Sequence, residues 1–193
     1  LYVTHDQIEA MTMATHVGVL DSGKLVQVGS PRESYEDPVS LYVAGRLGLP
    51  RSNTLPADLF GGAPSGAATI GLRPEHIVQG AGKPAAVVRV EHLGDQTRLH
   101  LSLEGCDLVT LTDVHTPLEP GDTVAIHPRN PLYFDADGQR IRQGGTMKQF
   151  INTKATLVTE AIDGTQRTSG GRLARQAGYP QNKVVVRTAW DKS

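Results

Sequence analysis

The 193-residue sequence predicts a mixed α/β and β protein: an α/β stretch, then a small β-barrel, then a short and incomplete α/β segment. Three observations predict it. Gly and Pro are plentiful, 21 and 12, while aromatics are only 5%, which favours short strands and many turns over a helical bundle. Strand and helix signals alternate from residue 1 to about 50, and short, closely spaced strands take over from about 70. Between them lies a stretch rich in Gly, Ala, Pro and Ser, including Gly61-Gly62-Ala63-Pro64-Ser65-Gly66, which reads as a linker over 51–69.

Leu1-Tyr2-Val3-Thr4 is a short β-favouring run that can only be the end of a strand. Residues 6–14 read as a helix, with Asp6 at its start and Ile8, Met11 and Ala14 on one face. Residues 17–20 and 25–28 are strands around the turn Asp21-Ser22-Gly23-Lys24. Ser30-Pro31-Arg32-Glu33 opens the next helix: Ser30 caps it, Pro31 suits the first helical position and Glu33 completes a capping box. Pro38 ends that helix, and 39–47 reads as another. In the β-rich region 70–142, Leu99, Leu101 and Leu103 alternate with His100, Ser102 and Glu104, a half-buried strand by period. Residues 88–90, 108–111 and 123–126 add strands, separated by turns such as Glu119-Pro120-Gly121-Asp122 and Asp135-Ala136-Asp137-Gly138. Strands at this spacing fit an OB-like barrel. Gly144-Gly145-Thr146 marks a junction over 143–146. Beyond it, Ile151, Leu157, Val158, Ala161 and Ile162 give helical spacing over 153–163, and 183–187 is a final strand with no later partner. One helix and one unpaired strand bury little apolar surface, so 147–193 is expected to pack poorly.

Composition excludes several function classes. Nineteen Lys plus Arg against 20 Asp plus Glu leave a net charge of −1, no broad electrostatic reason to bind nucleic acid or anionic membrane. An OB-like barrel that binds nucleic acid needs a basic groove and stacking aromatics, and between 84 and 142 the aromatics are Tyr133 and Phe134 alone. Nucleic-acid binding is not expected. The single Cys106 forbids a disulfide within the chain and fits a reducing compartment; no neighbouring cation marks it as reactive. No apolar run approaches the roughly 20 residues that span a bilayer. Seven His residues (His5, His16, His76, His92, His100, His115 and His127) are scattered without metal-ligand spacing, so no metal site is expected. Arg73-Pro74-Glu75-His76 reads as a strand-end turn carrying a salt bridge.

The chemically informative stretch is Val3-Thr4-His5-Asp6-Gln7-Ile8-Glu9-Ala10-Met11. A strand ends, His5 is presented and a helix opens at once, the place where open α/β sheets build ligand sites. An imidazole there can donate to a phosphate oxygen, and phosphoryl transfer depends on positioned donors. The competing reading is that His5 caps the helix or satisfies a neighbouring backbone group; spacing alone favours it.

Tyr2-Val3-Thr4-His5-Asp6-Gln7-Ile8-Glu9-Ala10-Met11-Thr12 closely resembles the switch-histidine segment of ABC-transporter ATPases of the sugar-importer branch. The resemblance continues through residues 17–31 and Leu41-Tyr42-Val43-Ala44, then through Gly71-Leu72-Arg73-Pro74-Glu75-His76 and Glu91-His92-Leu93-Gly94-Asp95-Gln96-Thr97. It implies the tail of a P-loop NTPase α/β domain over 1–50, and over 70–142 the OB-like regulatory extension called TOBE. It implies that His5 contacts the γ-phosphate of ATP. The phosphate-cradling G-x-x-x-x-G-K-[ST] loop, the LSGGQ-type signature and the catalytic Glu of that family are absent and would lie upstream of Leu1. ATP and Mg are therefore expected in the parent protein, with neither binding this chain alone, and the chain alone is expected not to hydrolyse ATP. The resemblance further implies a homodimer of ATPase subunits, membrane permease subunits, a regulatory protein received at the TOBE domain, and a cytoplasmic place against the inner face of the membrane. This sequence departs from the family at His16, where an acidic residue is usual, and at Ser52-Asn53, where Met-Asn is usual. Its 54–70 segment is also shorter than in many members.

A second resemblance begins at Met147-Lys148-Gln149-Phe150-Ile151-Asn152. Residues 147–193 look like the N-terminal start of a dihydroxyacetone kinase, with Leu157-Val158-Thr159-Glu160 and Val184-Val185-Val186-Arg187-Thr188 in agreement. No catalytic motif falls inside this match. The opening Leu1 in place of Met and the two partial resemblances imply two incomplete proteins meeting near Gly145, whether by natural fusion or sequence artefact. The expected function is that of a fragment of an importer ATPase for carbohydrates, polyols or related small solutes, with glycerol- or triose-like cargo suggested only by the kinase-like neighbour. A kinase fragment and a free-standing sensing module are the two alternatives.

Overall fold

The computed structural model describes residues 2–142, 158–160, 166–168 and 184–187. The chain divides into two compact units, one made of Leu1–Val39 with Gly145–Ser193, the other of Ser40–Gly144. Among the described residues no helix is long and apolar enough to cross a membrane.

The first unit opens with β1 (Tyr2–Thr4) and α1 (Gln7–Met13), followed by the hairpin β2 (His16–Asp21) and β3 (Lys24–Gly29) and by α2 (Pro31–Glu36). The Asp6 carboxylate caps α1, accepting from Ile8 N at 2.8 Å and Glu9 N at 3.1 Å. The apolar face of this helix differs from the one that spacing suggests. Ala10 is buried against Val17 with Ala14 beside it, while Ile8 is 63% exposed. A two-turn helix turns one narrow stripe inward, and Ala10 occupies it. Ser22 and Gly23 both have positive φ, 48° and 78°, as a primed hairpin turn requires. The Ser30–Glu33 capping box is formed in both directions, and α2 stops one residue short of Pro38.

β14 (Val184–Arg187) lies between β1 and β2 and is antiparallel to both, giving the sheet order β1-β14-β2-β3. This corrects the expectation of an unpaired final strand. Its partners precede it in the chain by more than 160 residues, so no local pattern marks them. A second correction falls within 153–163. There Val158–Glu160 forms a strand, β12, paired antiparallel with β13 (Gln166–Thr168) instead of a helix. Its Val and Thr are β-branched, and the turn dipeptide Asp163-Gly164 lies between the two strands in sequence. The remaining positions of that helix, and the 147–152 segment that carries the second resemblance, lie outside the described residues.

The second unit begins with α3 (Leu41–Arg46), capped by Ser40. Its strands are β4 (Asn53–Pro56), β5 (Thr69–Leu72), β6 (Ile77–His92), β7 (Thr97–Leu103), β8 (Cys106–Thr112), β9 (Thr123–Pro128), β10 (Leu132–Phe134) and β11 (Arg140–Ile141), with a 3₁₀ turn at Pro74–His76. They form two four-stranded sheets, β8-β7-β6-β9 and β11-β10-β5-β4, in the OB-like arrangement that the strand spacing predicts. Strand β7 alternates as its sequence requires, with Thr97, Leu99, Leu101 and Leu103 all buried. Leu55, Ile70, Leu72, Val87, Leu108 and Ile126 meet these leucines in one core.

The stretch over 51–69 is more than a spacer. It contains β4, and Leu55, Ala57 and Leu59 are buried in the core. The division between units falls at Val39 and Ser40, upstream of the composition change near 50. Two side chains account for this. Asn53 donates to Leu72 O (3.1 Å) and Val109 O (2.9 Å) and accepts from Val109 N (2.7 Å), fastening β4 to β5 and β8. The buried Arg73 guanidinium donates from Nη1 to Ala44 O (3.0 Å) and to Leu47 O, fastening the end of α3 to the strand end that carries it.

Candidate functional site

The corner between β1 and α1 is held from both sides of His5. Thr4 is buried; its hydroxyl donates to Glu9 Oε2 at 2.6 Å and accepts from Asp6 N at 3.0 Å. Tyr2 donates its hydroxyl to the other oxygen, Glu9 Oε1, at 3.0 Å. Both oxygens of one carboxylate in the first turn of α1 thus take hydroxyls from the strand. The hydrogen bond to Glu9, then the charge on that carboxylate, raises the Tyr2 phenol above its ordinary value, because a phenolate there would face an anion. Thr4 and Asp6 are fixed by these contacts, and His5 between them is exposed.

The capping role that competes with chemistry for His5 belongs to Asp6. His5 has no hydrogen-bond or ionic partner among the described residues, so its ring nitrogens are free to meet a ligand. The N-terminus of α1 is itself no anion cradle: the Ile8 and Glu9 N–H groups are already donated to Asp6, whose charge repels a phosphate. One exposed imidazole fits a single contact to a terminal phosphate oxygen. The Gly-rich loop and lysine that cradle a nucleotide's phosphates in the P-loop motif have no counterpart in this sequence.

The other singled-out residues are placed as follows. The Arg73-Pro74-Glu75-His76 stretch is indeed a turn at a strand end, but Arg73 is only 2% exposed and reaches inward to α3, a role that local reading misses. Tyr133 and Phe134 are both buried in the core, so neither offers a ring for a base to stack on. Cys106 is half-buried against the same core. Among the described residues no three His, Cys, Asp or Glu side chains converge as metal ligands would.

Comparison with known proteins adds the family context. Residues 70–131 match the TOBE domain. The matched TOBE residues run from β5 to the end of the loop after β9, while β4, β10 and β11 complete the same compact unit from outside the match. Over a longer span the chain is similar to ABC-importer ATP-binding proteins. It is 38% identical over 164 residues to an sn-glycerol-3-phosphate import ATP-binding protein of Ruegeria sp., covering 74% of this chain and 47% of that protein. It is 37% identical over 151 residues to an uncharacterized ABC transporter ATP-binding protein of Sinorhizobium fredii, covering 67% and 41%. With the lactose transport ATP-binding protein of Rhizobium radiobacter it shares 34% identity over 176 residues, covering 74% and 48%. The chain spans less than half the length of each of these relatives. The TOBE domain and these relatives support the resemblance to the C-terminal part of an ABC-importer ATP-binding subunit.

Proposed function

We propose that this chain is the C-terminal part of the ATP-hydrolysing subunit of an ABC importer for carbohydrates, polyols or related small solutes. The observation that carries the reading is the exposed, unpartnered His5 at a strand-to-helix corner, followed in the same chain by a TOBE domain. In the assembled subunit His5 supplies one donor to the γ-phosphate; ATP and Mg are held by residues that this chain lacks. The subunit works as a homodimer against membrane permease subunits on the cytoplasmic face, and the TOBE domain is the surface on which a regulatory protein acts. Relatives named for import of sn-glycerol-3-phosphate and for lactose transport support a small hydroxylated cargo, and a glycerol- or triose-like solute is the narrower choice. The 147–193 segment is read as the start of a dihydroxyacetone kinase and supplies no site.

The test uses two proteins. The 193-residue chain alone is expected to show no ATP turnover above background. A full-length subunit that contains it is expected to hydrolyse ATP, and His5→Ala to lower that turnover about a hundredfold, the loss usual for one charge-stabilising donor. Turnover by the short chain that is lost in His5→Ala, or full activity of the variant subunit, would sink the proposal.

A further inference from the structure

Three hydrogen bonds close a circuit around the backbone of His5. Asp6 N donates to Thr4 Oγ1 at 3.0 Å, the Thr4 hydroxyl donates to Glu9 Oε2 at 2.6 Å, and Glu9 N donates to Asp6 Oδ1 at 3.1 Å. Tyr2 adds a fourth bond, 3.0 Å from its hydroxyl to Glu9 Oε1. Of these four residues Glu9 alone stands on α1, while Tyr2 and Thr4 belong to β1 and Asp6 is the cap between them.

A carboxylate suits that place. Ionised, it only accepts, so two hydroxyls can point at it without competing. The 2.6 Å bond from Thr4 has the short length of a hydroxyl donating to a charged oxygen. The raised Tyr2 phenol reports the same contact, since its proton is held against the Glu9 carboxylate. The helix that carries Glu9 is itself anchored one residue further on, where Ala10 is buried against Val17.

His5 needs such a frame because nothing holds its ring. The imidazole is exposed and has no partner among the described residues, so its aim is set by the backbone from which it projects. We propose that Glu9 is a positioning residue for His5: by drawing Thr4 and Tyr2 onto α1, it fixes the corner from which the imidazole reaches a phosphate oxygen. This rests on the reading of His5 as a donor to the γ-phosphate. A group displaced by about 1 Å can lose about a hundredfold in rate, so a frame that holds the donor matters as much as the donor.

Two measurements test this. In a full-length subunit that contains this chain, Glu9→Ala is expected to lower kcat about tenfold and to leave the KM for ATP within about twofold. In a His5→Ala background the same change is expected to cost nothing further, because a residue that acts through His5 then has nothing to position. Glu9→Gln keeps one acceptor oxygen in the same shape and is expected to recover part of the loss. A Glu9→Ala loss of equal size in both backgrounds, or a raised KM with kcat unchanged, overturns the assignment.

The second measurement does not involve ATP. By nitrogen relaxation of the 193-residue chain, the His5 amide is expected to show an order parameter of about 0.85, falling below about 0.6 in Glu9→Ala while the Ala10 amide stays rigid. The Tyr2 phenol is expected to titrate at lower pH in that variant, towards its ordinary value. An unchanged His5 order parameter overturns the positioning role even where turnover falls. Full activity of His5→Ala would sink the phosphate reading by itself, and the relaxation result then decides alone whether Glu9 holds the corner.

Discussion

Arg73 carries a full positive charge into a place that admits almost no water, and such burial costs several kcal/mol per ion before any partner is counted. The two carbonyls it meets explain why the charge is tolerated. Ala44 O and Leu47 O lie at the C-terminal end of α3, where carbonyls lack helical partners and the helix dipole is negative. Removing the guanidinium strips both carbonyls of their donor, so Arg73→Ala is expected to destabilise the protein by about 3 kcal/mol in urea unfolding. Arg73→Lys should recover only part of that, because a point-charge ammonium does not reproduce the fork. A midpoint unchanged in Arg73→Ala would show that α3 is held by other means. None of this was legible locally: the partners lie 29 and 26 residues away, and Asn53 reaches 56 residues to Val109. By contrast, the corner around His5 is built from residues 2–10, and its cap, exposure and tie to Glu9 follow from neighbours in sequence.

At the level of elements, the same division between local and distant signals holds. The capping box of α2, the primed turn of the β2–β3 hairpin and the alternation of β7 are each written in consecutive residues, and each is formed. Strand β4 was hidden, because four residues of alternating burial sit inside a Gly- and Pro-rich stretch that reads as linker. The sequence marks strand β6 only at Val88-Arg89-Val90, although it runs from Ile77 to His92. The reason lies at residues 80–82. Both Gln79 and Lys83 pair with Ile126, so Gly80, Ala81 and Gly82 bulge out and break the period of two. The two glycines there differ in kind. Gly80 has φ of +106° with open space around it, so Gly80→Ala pays backbone strain alone, about 1–2 kcal/mol. Gly82 has φ of +107°, and an added Cβ would meet Ile126 O at 2.2 Å, a fixed atom of the neighbouring strand. Gly82→Ala is therefore expected to cost about 3–5 kcal/mol, strain plus overpacking. Equal urea midpoints for the two variants would mean that β9 yields to the methyl group and that the bulge is softer than its pairing suggests.

For the whole molecule, the decisive contrast is how much core each unit holds. The Ser40–Gly144 unit joins two four-stranded sheets around a continuous cluster that includes Leu55, Ile70, Leu72, Leu99, Leu101, Leu103 and Ile126, with Ala44, Leu132 and Phe134 forming a second cluster in the same unit. Among the described residues, the cluster beneath α1 amounts to Ala10, Val17 and the partly buried Ala14. A unit of roughly 100 residues with two packed sheets can bury enough apolar surface to fold alone. Composition suggested one complete small domain but started it near residue 70; the buried side chains of β4 and the reach of Arg73 move its start to Ser40. A protein comprising only residues 40–144 is therefore expected to unfold in one cooperative transition, with amide signals for β5 to β9 that coincide with those measured on the 193-residue chain. One comprising residues 70–142 should lose that cooperativity, since it lacks α3, β4 and their anchors Ala44, Leu47 and Asn53. If residues 70–142 unfold as cooperatively as 40–144 and at the same urea concentration, then α3 and β4 are accessories to the barrel, and the start suggested by composition is the physical one.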